Sequence, residues 1–502
     1  MARCDASGDR RTFEGSVVLI DLLKKALCNK ILWYMATRYL TFALQFISSI
    51  YIALKLGSYF WGIWSFILLL VNTGNLLNWG IGNSINILLV QHKTEPELCA
   101  KYCYNGFLLS CLIMIPAITF TAYERLIGIP YIAKYHIGNY IYAILLIVCI
   151  GYLNNYLINV FRVKNRLFAV AFSQSAFPVA SFLLMFLAEE EKLLALLTAG
   201  YLAAVLISLI IFLCGKYIDW QQKTDRKMMR EIFLKGFFLF CYNASFLMIV
   251  LSTKTIISYY YAVEMFGYFA FAFSLANACM LLVDSFIFVV FPKMLDMLRD
   301  KKAAFEKVVL LRNCYLLCIS CIAYSAIPGC WLLLRFMPTY QEAFESFVML
   351  ILALAIYPLC YGYNTYMMAQ NKEKSMALYI LIALTLNVLL TFFAAAQLHV
   401  RMEYCTVGIM VAYGLFAMLI NVNARRHLQQ KNTIRSLIGL LPLYIIIPFF
   451  TALFLILTRQ INSCIYIWLP FVLFLAFASN QMLFIGKIVI KIIRSPDILI
   501  VR

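Results

Sequence analysis

Apolar residues run through this chain in stretches of about 20, and short polar or charged segments separate one stretch from the next. A helix of that length crosses the ~30 Å hydrocarbon layer of a bilayer. Alternating segments of about ten residues, typical of membrane barrel strands, are absent from the sequence. The pattern therefore predicts an all-α, polytopic membrane protein with about 14 transmembrane helices. The predicted spans are 31–54, 61–90, 103–121, 138–160, 167–187, 193–214, 236–259, 263–291, 308–326, 345–368, 375–396, 405–423, 436–458 and 462–484.

The second apolar stretch, 56–90, differs from the others because it is rich in amides and glycines. Asparagines stand at 72, 75, 78, 83 and 86, and glycines at 74, 80 and 82. Amides are costly in hydrocarbon unless they are hydrogen-bonded, so this span is expected to face a protein interior or a wet cavity. It is also longer than a bilayer requires, and we predict a tilt or a break at Gly80-Ile81-Gly82.

A fainter copy of this span returns about two hundred residues later, at 261–286. Trp61-Gly62 corresponds to Phe266-Gly267, and Asn72 corresponds to Asn277 at the same offset. The ends of spans 4 and 10 also align at nearly this offset, which predicts an internal repeat. Because each half holds six spans, the two repeats should run in the same direction through the membrane.

The predicted organisation is therefore two six-helix bundles related as repeats, followed by a C-terminal hairpin. Polar or basic segments are expected before, between and after them, and the last should lie on the membrane surface. The predicted units are an N-terminal cytoplasmic segment 1–30, a first bundle 31–214, a cytoplasmic linker 215–235, a second bundle 236–423, appended helices 13 and 14 at 424–485, and a cytoplasmic tail 486–502.

The distribution of charge fixes the expected orientation and excludes a nucleic-acid partner. The chain has 64% hydrophobic and only 13% charged residues, whereas ordinary soluble domains carry about 25% charged residues. Its net charge of +19 falls almost wholly on the loops that share a side with the termini. This asymmetry follows the positive-inside rule, so both termini are expected in the cytoplasm.

Several absences argue against an enzyme. The four histidines are scattered in loops or at span ends, so neither a metal site nor a cofactor is expected. The sequence contains no phosphate-binding GxxxxGK[ST] motif, which excludes ATP as the direct driver. The predicted outer loops are too short for the extramembrane portion of a membrane glycosyltransferase or glycan polymerase.

Three ionisable residues fall clearly within predicted spans, namely Arg38, Lys254 and Asp284. Such residues are costly in hydrocarbon and mark candidate functional sites. The guanidinium of Arg38 can hold two phosphate oxygens at once, although pairing with Asp284 or snorkelling is an alternative. Lys254 is a second candidate for an anion, and Asp284 is a counter-ion or a coupling site. Arg312, at the edge of span 9, is expected to be an interface anchor.

Amides in the polar spans are candidate partners for sugar hydroxyls, with interhelical hydrogen bonding as the structural alternative. The candidates on spans 2 and 8 are Asn72, Asn75, Asn78 and Asn277.

The motifs of spans 1, 2, 7 and 8 resemble those of the bacterial polysaccharide transporter family, the O-antigen and capsule repeat-unit flippases. Their wider superfamily also contains lipid II flippases and multidrug extruders. The resemblance covers spans 1 to 12 and is carried by Leu56-Gly57, Gly62-Ile63-Trp64-Ser65-Phe66, Gly80-Ile81-Gly82-Asn83-Ser84, Lys254-Thr255-Ile256-Ile257, Phe266-Gly267-Tyr268 and Phe291-Pro292-Lys293.

The resemblance implies an inner-membrane flippase that moves undecaprenyl-diphosphate-linked oligosaccharide repeats by alternating access. Its expected partners are that substrate, membrane lipids, a coupling ion (H⁺ or Na⁺) and other polysaccharide-assembly membrane proteins. Relatives often carry aspartates where this chain has Asn78-Trp79 and Thr253, so the coupling ion stays open. The alternative functions are a multidrug extruder and a membrane glycan polymerase or glycosyltransferase.

Overall fold

The computed structural model describes residues 30–297, 304–370, 372–428, 442–461 and 463–494. These residues form helices joined by short turns, and this part of the chain contains no β-strand. The α-helices are α1 (Lys30–Leu76), α2 (Ile81–Gln91), α3 (Pro96–Leu112), α4 (Met114–Ile127), α5 (Pro130–Ala133), α6 (Ile141–Val163), α7 (Leu167–Leu184), α8 (Glu190–Cys214), α9 (Arg226–Tyr260), α10 (Val263–Met297), α11 (Ala304–Arg335), α12 (Ala343–Ile356), α13 (Tyr363–Ala369), α14 (Glu373–Phe392), α15 (Val407–His427), α16 (Leu443–Leu457) and α17 (Leu469–Arg494).

Within the described residues, eleven helices are long and apolar enough to cross a membrane. The prediction of an all-α, polytopic membrane protein is therefore confirmed. The count of fourteen spans stays a prediction, and the difference has three visible sources. The first predicted span and the first part of the second fall in α1, and the rest of the second is the short helix α2. Spans 7 and 13 correspond to shorter apolar helices, Phe246–Tyr260 and Leu443–Leu457.

Helix α1 consists of two limbs, 30–56 and 58–76, because the backbone leaves the helical region at Gly57. Gly57 has φ 69° and ψ 173°, a conformation that costs a residue with a Cβ atom much more than glycine. Residues of both limbs line one cavity, so the chain turns back on itself at this point. We call this side of the bundle the Gly57 end and the opposite side the Gly80 end.

The polar span breaks where the sequence predicts. The second limb of α1 ends at Leu76, and α2 begins at Ile81 after a turn in which Trp79 (φ 51°) and Gly80 (φ 74°) are left-handed. The Asn78 Oδ1 atom accepts a hydrogen bond from the Gly80 amide at 2.9 Å, which stabilises this turn. A Cβ atom on Gly80 would collide with the Gly236 carbonyl of α9, so the glycine also permits close packing.

The helices of the two halves pack in corresponding pairs. In the first half α1 packs on α7, α7 on α8, and α6 on α8. In the second half α9 packs on α14, α14 on α15, and α12 on α15. Helices α16 and α17 pack on each other, and α17 also packs on α11. This arrangement is compatible with the predicted repeat and hairpin, whose boundaries stay predictions.

The two halves approach most closely where the second limb of α1 crosses α10. A Cβ atom on Gly62 would overlap the Val263 carbonyl oxygen, and a Cβ atom on Gly267 would overlap the Ser58 carbonyl oxygen. Gly62 and Gly267 are 205 residues apart, and so are Ser58 and Val263. The contact is therefore reciprocal, with each glycine admitting the matching stretch of the other half.

Two details differ from the expected segment boundaries. Helix α9 begins at Arg226, inside the predicted linker, where the Asp225 carboxylate accepts hydrogen bonds from the Lys227 and Met228 amides. Helix α17 continues without interruption to Arg494, so the first part of the predicted surface tail extends the last helix. Residues 1–29 of the predicted segment 1–30, and residues 495–502 of the predicted tail, lie outside the described residues.

Candidate functional site

A cavity of about 220 Å³ lies between the two halves of the bundle. Both limbs of α1 form one wall, α9 and α10 form the opposite wall, and α7 contributes two residues. Its lining residues are Phe42, Gln45, Phe46, Ser48, Ser49, Ile52, Trp61, Trp64, Ser65, Leu68, Leu69, Asn72, Phe177, Ser181, Leu251, Lys254, Ala270, Phe273, Ser274, Asn277 and Ala278.

Lys254 supplies the positive charge of this lining. Its Nζ atom lies 3.5 Å from the centre of the Phe273 ring, a cation–π contact that holds the ammonium against the wall. Among the described residues it donates no hydrogen bond, and no carboxylate lies within 4.0 Å of it. The described lining residues include no Asp or Glu. The ammonium is therefore available to an anion that enters the cavity.

The cavity also offers neutral polar groups on both sides. Asn72 and Asn277, which are 205 residues apart in the repeat, face it from α1 and α10. Neither amide forms a hydrogen bond with another described residue, so both can bind a ligand. The Ser48 and Ser274 hydroxyls donate to carbonyls of their own helices, which leaves oxygen lone pairs as acceptors.

Aromatic rings form much of the remaining wall. Trp64 packs against Phe177 with ring centres 6.1 Å apart, and Trp61 packs edge-on against Phe271 at the same separation. The Trp61 Nε1 atom is buried and has no hydrogen-bond partner among the described residues. A buried donor without a partner is costly, so this N–H is suited to an acceptor on a ligand. Rings beside amides and hydroxyls suit a ligand with apolar faces and polar edges, such as a sugar.

Two buried tyrosines close the Gly57 end of the cavity in matching ways. The Tyr135 hydroxyl donates to the Ser258 carbonyl of the other half at 2.8 Å, and the Tyr340 hydroxyl donates to the Ala53 carbonyl at 2.9 Å. Both donors and both acceptors are 205 residues apart. We call these two bonds the tyrosine clasp.

Each clasp tyrosine also packs on a ring of its own half. The Tyr135 ring stacks on Phe66 at 3.8 Å between centres, and the Tyr340 ring lies 4.4 Å from Phe271. The four rings are fully buried. Because the hydroxyls are directed to the opposite half, the cavity cannot open at this end without breaking both bonds.

Lys134 makes the first half of the clasp more extensive than the second. Its Nζ atom donates to the carbonyls of Ser258 at 2.8 Å, Tyr259 at 3.1 Å and Tyr261. These groups lie at the C-terminal end of α9, where carbonyls lack helical partners and a cation is favourable. The repeat-equivalent residue is Thr339, which carries no charge.

Arg38 lies beside the cavity but is not part of its lining. Its Nη1 atom donates to Gln174 Oε1 on α7 at 3.0 Å, and its guanidinium covers the Phe42 ring at 4.7 Å. Phe42 lines the cavity one helical turn further along α1. Arg38 is partly exposed, so it is neither sealed in a packed core nor directed only to the surroundings.

The remaining predicted site residues separate into two groups. Lys254, Asn72 and Asn277 meet at the cavity, whereas Asn75 and Asn78 lie elsewhere. Asn75 packs against Gly151 of α6, and Asn78 stabilises the turn before α2 and borders a separate cavity of about 10 Å³. The Asp284 side chain lies outside the described residues, so its expected pairing with Arg38 stays a prediction.

The surroundings of Thr253 form a neutral network. Asn387 of α14 is fully buried and donates to the Ile249 carbonyl, the Ser252 hydroxyl and the Thr253 hydroxyl. Its Oδ1 atom accepts from Thr391. Hydrogen bonds therefore satisfy this amide without an ion. No group of three or more His, Cys, Asp or Glu that could hold a metal ion occurs in the part of the chain that the structure describes.

The structure differs from the expectation for Arg312 in one respect, which is that the side chain is not exposed. A basic interface anchor extends its charged group to water, but Arg312 on α11 is only 3% exposed. Its position near a span edge suggested an anchor, whereas packing of later helices buries it. The sequence analysis named Trp61 and Trp64 only as repeat and motif positions and did not select them as cavity residues. It did not name the clasp tyrosines, although the offset of 205 residues relates Tyr135 to Tyr340.

Comparison with known families decides the class of protein. Residues 27–298, more than half of the chain, match the family described as polysaccharide biosynthesis protein. The chain belongs to this family. The matched residues include the broken polar span, both walls of the cavity and the Tyr135–Ser258 bond of the clasp, whereas Tyr340 lies beyond them. No curated protein sequence matches the chain.

Solved structures of transporters share the fold of this family member. The lipid II flippase MurJ, in an inward closed conformation, superimposes with a TM-score of 0.65 at 12% identity, covering 90% of this chain and 99% of that chain. An inward-facing multidrug resistance MATE transporter gives 0.62 at 10% identity, covering 78% and 94%. A transporter of the same superfamily from Pyrococcus furiosus gives 0.50 at 11% identity, covering 79% and 93%. These similarities establish a transporter-like fold.

Proposed function

We propose that this protein is a flippase for undecaprenyl-diphosphate-linked oligosaccharide repeats in O-antigen or capsular polysaccharide synthesis. The observation that carries the proposal is the cavity between the halves. There the Lys254 ammonium has no acidic partner among the described residues, and amides, hydroxyls and indoles surround it. The diphosphate of such a substrate matches the ammonium, and its sugars match the amides and rings.

The size of the cavity limits what it can hold in this state. Pockets that enclose drug-sized ligands measure roughly 300–1,000 Å³, whereas this cavity measures about 220 Å³. It therefore suits a diphosphate with one sugar, and a longer oligosaccharide requires a wider state. Alternating access supplies such a state when the two halves move relative to each other.

The two halves can separate at the Gly57 end only when the hydrogen bonds of the tyrosine clasp break. With both termini in the cytoplasm of a bacterial inner membrane, the Gly57 end faces outward. Release to the outer leaflet then requires the Tyr135 and Tyr340 hydrogen bonds to break. Two buried bonds of this kind contribute about 1–3 kcal/mol to the closed state, which substrate binding can offset.

Arg38 has a separate role in the proposal. It lies next to the cavity with part of its guanidinium unused by Gln174, so it is placed to receive the diphosphate before Lys254. Asp284 remains a candidate counter-ion or coupling site, and H⁺ and Na⁺ remain the candidate ions. The absence of acidic residues from the lining favours an anionic substrate over the cationic drugs of a multidrug extruder.

A deletion strain provides the test. Loss of the protein should cause lipid-linked repeats to accumulate in the inner leaflet, measured by protection of the lipid-linked sugar from an external glycan-modifying enzyme in spheroplasts. Complementation by Lys254→Gln should fall at least about tenfold, because a charge-assisted contact is lost. If positive charge alone suffices at this position, Arg38→Lys should complement the deletion better than Arg38→Ala. If the guanidinium fork is required, the two variants should complement equally poorly.

Lys55→Gln is the matched control, because Lys55 is a lysine on the same helix as Arg38 and pairs with the exposed Glu189 outside the cavity. Its complementation should equal that of the wild type. Full complementation by Lys254→Gln, together with cation efflux from the expressing cells, would favour the multidrug alternative. Sugar polymerisation by the purified protein would favour the polymerase alternative.

A further inference from the structure

Arg312 is a buried cation that the proposed transport pathway does not use. It lies on α11, is 3% exposed and does not line the cavity between the halves. Its Nε and Nη2 atoms are buried and have no hydrogen-bond partner among the residues that the structure describes, and none of those residues places a carboxylate within 4.0 Å of the side chain. Burying a guanidinium in this way is strongly unfavourable unless an acceptor joins it. The buried guanidinium is therefore suited to bind an anionic ligand.

The neighbours of Arg312 increase the positive charge and supply no negative charge among the described residues. Arg425, near the end of α15, is 9% exposed and interacts electrostatically with Arg312. The buried Tyr363 hydroxyl donates no hydrogen bond to a described residue. Tyr444, at the start of α16, also lies within electrostatic range of Arg312. An anion here would meet guanidinium and hydroxyl donors from four helices.

The backbone holds Arg312 in this position. Gly362 has φ 75°, and its Cα approaches α11 so closely that an added Cβ would lie 3.3 Å from the Arg312 Cβ. Tyr363 follows directly and begins α13. The break in the chain at Gly362 therefore brings the Tyr363 ring and the Arg312 stem together.

The depth of Arg312 in the bilayer narrows the choice of anion. At the other end of α11, Arg335 covers the Trp331 ring at 4.4 Å, a pair typical of a membrane interface. From Arg335 to Arg312 the helix rises about 35 Å at 1.5 Å per residue, slightly more than the ~30 Å hydrocarbon layer. Arg312 thus lies at the depth of the headgroup phosphates of the opposite leaflet, at the Gly80 end.

We propose that Arg312, with Arg425 and Tyr363, binds the phosphate group of an anionic phospholipid from the leaflet at the Gly80 end. The planar guanidinium can hold two phosphate oxygens, and the second arginine favours a ligand with net negative charge over a zwitterionic one. The headgroup would enter between α11, α15 and the start of α16. This site is separate from the cavity and does not depend on the proposed flippase activity.

Lipid retention and thermal unfolding of the purified full chain test the site. Native mass spectrometry should show that phosphatidylglycerol is retained at least about tenfold more strongly than phosphatidylcholine with the same acyl chains. Arg312→Gln should remove most of that difference. Arg426→Gln is the matched control, because Arg426 is the exposed neighbour of Arg425 on α15, and it should keep the difference. Arg312→Lys keeps the charge without the fork and should retain an intermediate difference.

Each outcome decides the proposal. Equal retention of the two lipids by the wild type, or an unchanged difference in Arg312→Gln, overturns it. Stabilisation by inorganic phosphate alone, lost in Arg312→Gln, identifies a free phosphate and overturns the lipid assignment. If Arg312→Gln yields no folded protein, Arg312→Lys decides, and a lipid preference equal to that of the wild type contradicts a bidentate phosphate contact.

Discussion

The two halves of this protein share their backbone contacts but differ in the chemistry of the cavity. Gly62 and Gly267 admit each other's helices reciprocally, and Tyr135 and Tyr340 bind opposite carbonyls in the same way. Within the cavity, however, the position of Lys254 corresponds to Ser49, and both residues are in the lining. The glycine and tyrosine contacts that join the halves are therefore present in both repeats, whereas the cavity lysine is present in the second repeat only.

This difference indicates which residues serve closure and which serve recognition. Each contact between the halves occurs twice, once on either side of the pseudo-twofold axis. Matched positions in the two repeats therefore have the same packing requirement. A substrate such as a lipid-linked oligosaccharide has no such symmetry, and an asymmetric site binds it in one orientation. Substitutions at matched positions should therefore have equal effects in the contacts and unequal effects in the cavity.

The largest effect is expected at the crossing of α1 and α10. Gly62→Ala and Gly267→Ala each place a Cβ against a carbonyl of the other half, so the helices must separate. Each variant should lose about 1–3 kcal/mol or more of stability, and the two losses should be similar. Thermal unfolding of the purified variants measures this.

Gly329→Ala is the control for the crossing, because no atom lies within 4 Å of the added Cβ. Its stability should be unchanged or about 1 kcal/mol higher through helix propensity. A loss confined to one of the two crossing glycines would contradict the reciprocal contact.

The next largest effect is expected from moving the charge across the axis. Lys254→Ser should lower transport at least about tenfold, whereas Ser49→Ala should change it less than about twofold. The double variant Ser49→Lys/Lys254→Ser moves the ammonium to the α1 wall of the cavity. It should recover part of the transport that Lys254→Ser loses. Rates of substrate flipping in proteoliposomes measure this, and equal losses for Ser49→Ala and Lys254→Ser would contradict an asymmetric site.

An intermediate effect is expected from the tyrosine clasp. Tyr340→Phe removes the described side-chain donor of the Ala53 carbonyl, whereas Tyr135→Phe leaves Lys134 bound to the Ser258 carbonyl. Tyr340→Phe should therefore raise the population that is open at the Gly57 end about fivefold or more. Tyr135→Phe should raise it by a smaller factor. Hydrogen exchange of the peptides around Ala53 and Ser258 measures the opening. A larger effect of Tyr135→Phe would show that Lys134 does not compensate.

The smallest effect is expected at the paired amides. Asn72→Ala and Asn277→Ala each remove one neutral hydrogen-bonding group from the cavity, worth about 0.5–1.5 kcal/mol if it binds substrate. Each substitution should raise the substrate concentration at half-maximal transport by about two- to tenfold without changing thermal stability. Asn75→Ala, outside the lining, should leave half-saturation unchanged.

Much of the fold follows from the sequence because apolar length and helix periodicity respond to the same bilayer. The break at Gly80 was predictable, since glycines and amides there are unfavourable in a continuous membrane helix. Lys254, Asn72 and Asn277 were predictable as cavity residues because polar groups in spans avoid lipid. These inferences need only the composition of single segments.

The remaining features depend on how helices are rotated against one another. Asn75 and Asn78 share the span of Asn72, but the turn after Leu76 and the packing on α6 direct them away from the cavity. The burial of Arg312 results from α13, α15 and α16, which lie far along the chain. The clasp tyrosines stand in dissimilar loops, so only their shared offset connects them.

The one-residue turn at Gly57 also constrains how the chain enters the membrane. The limbs 30–56 and 58–76 have almost no connecting loop, so they are expected to insert together as a helical hairpin. The apolar first limb then accompanies the amide-rich second limb until α10, synthesised about two hundred residues later, can cover it. During that interval the exposed amides are a natural target for an insertion chaperone, and biogenesis should be sensitive to any loop inserted at Gly57.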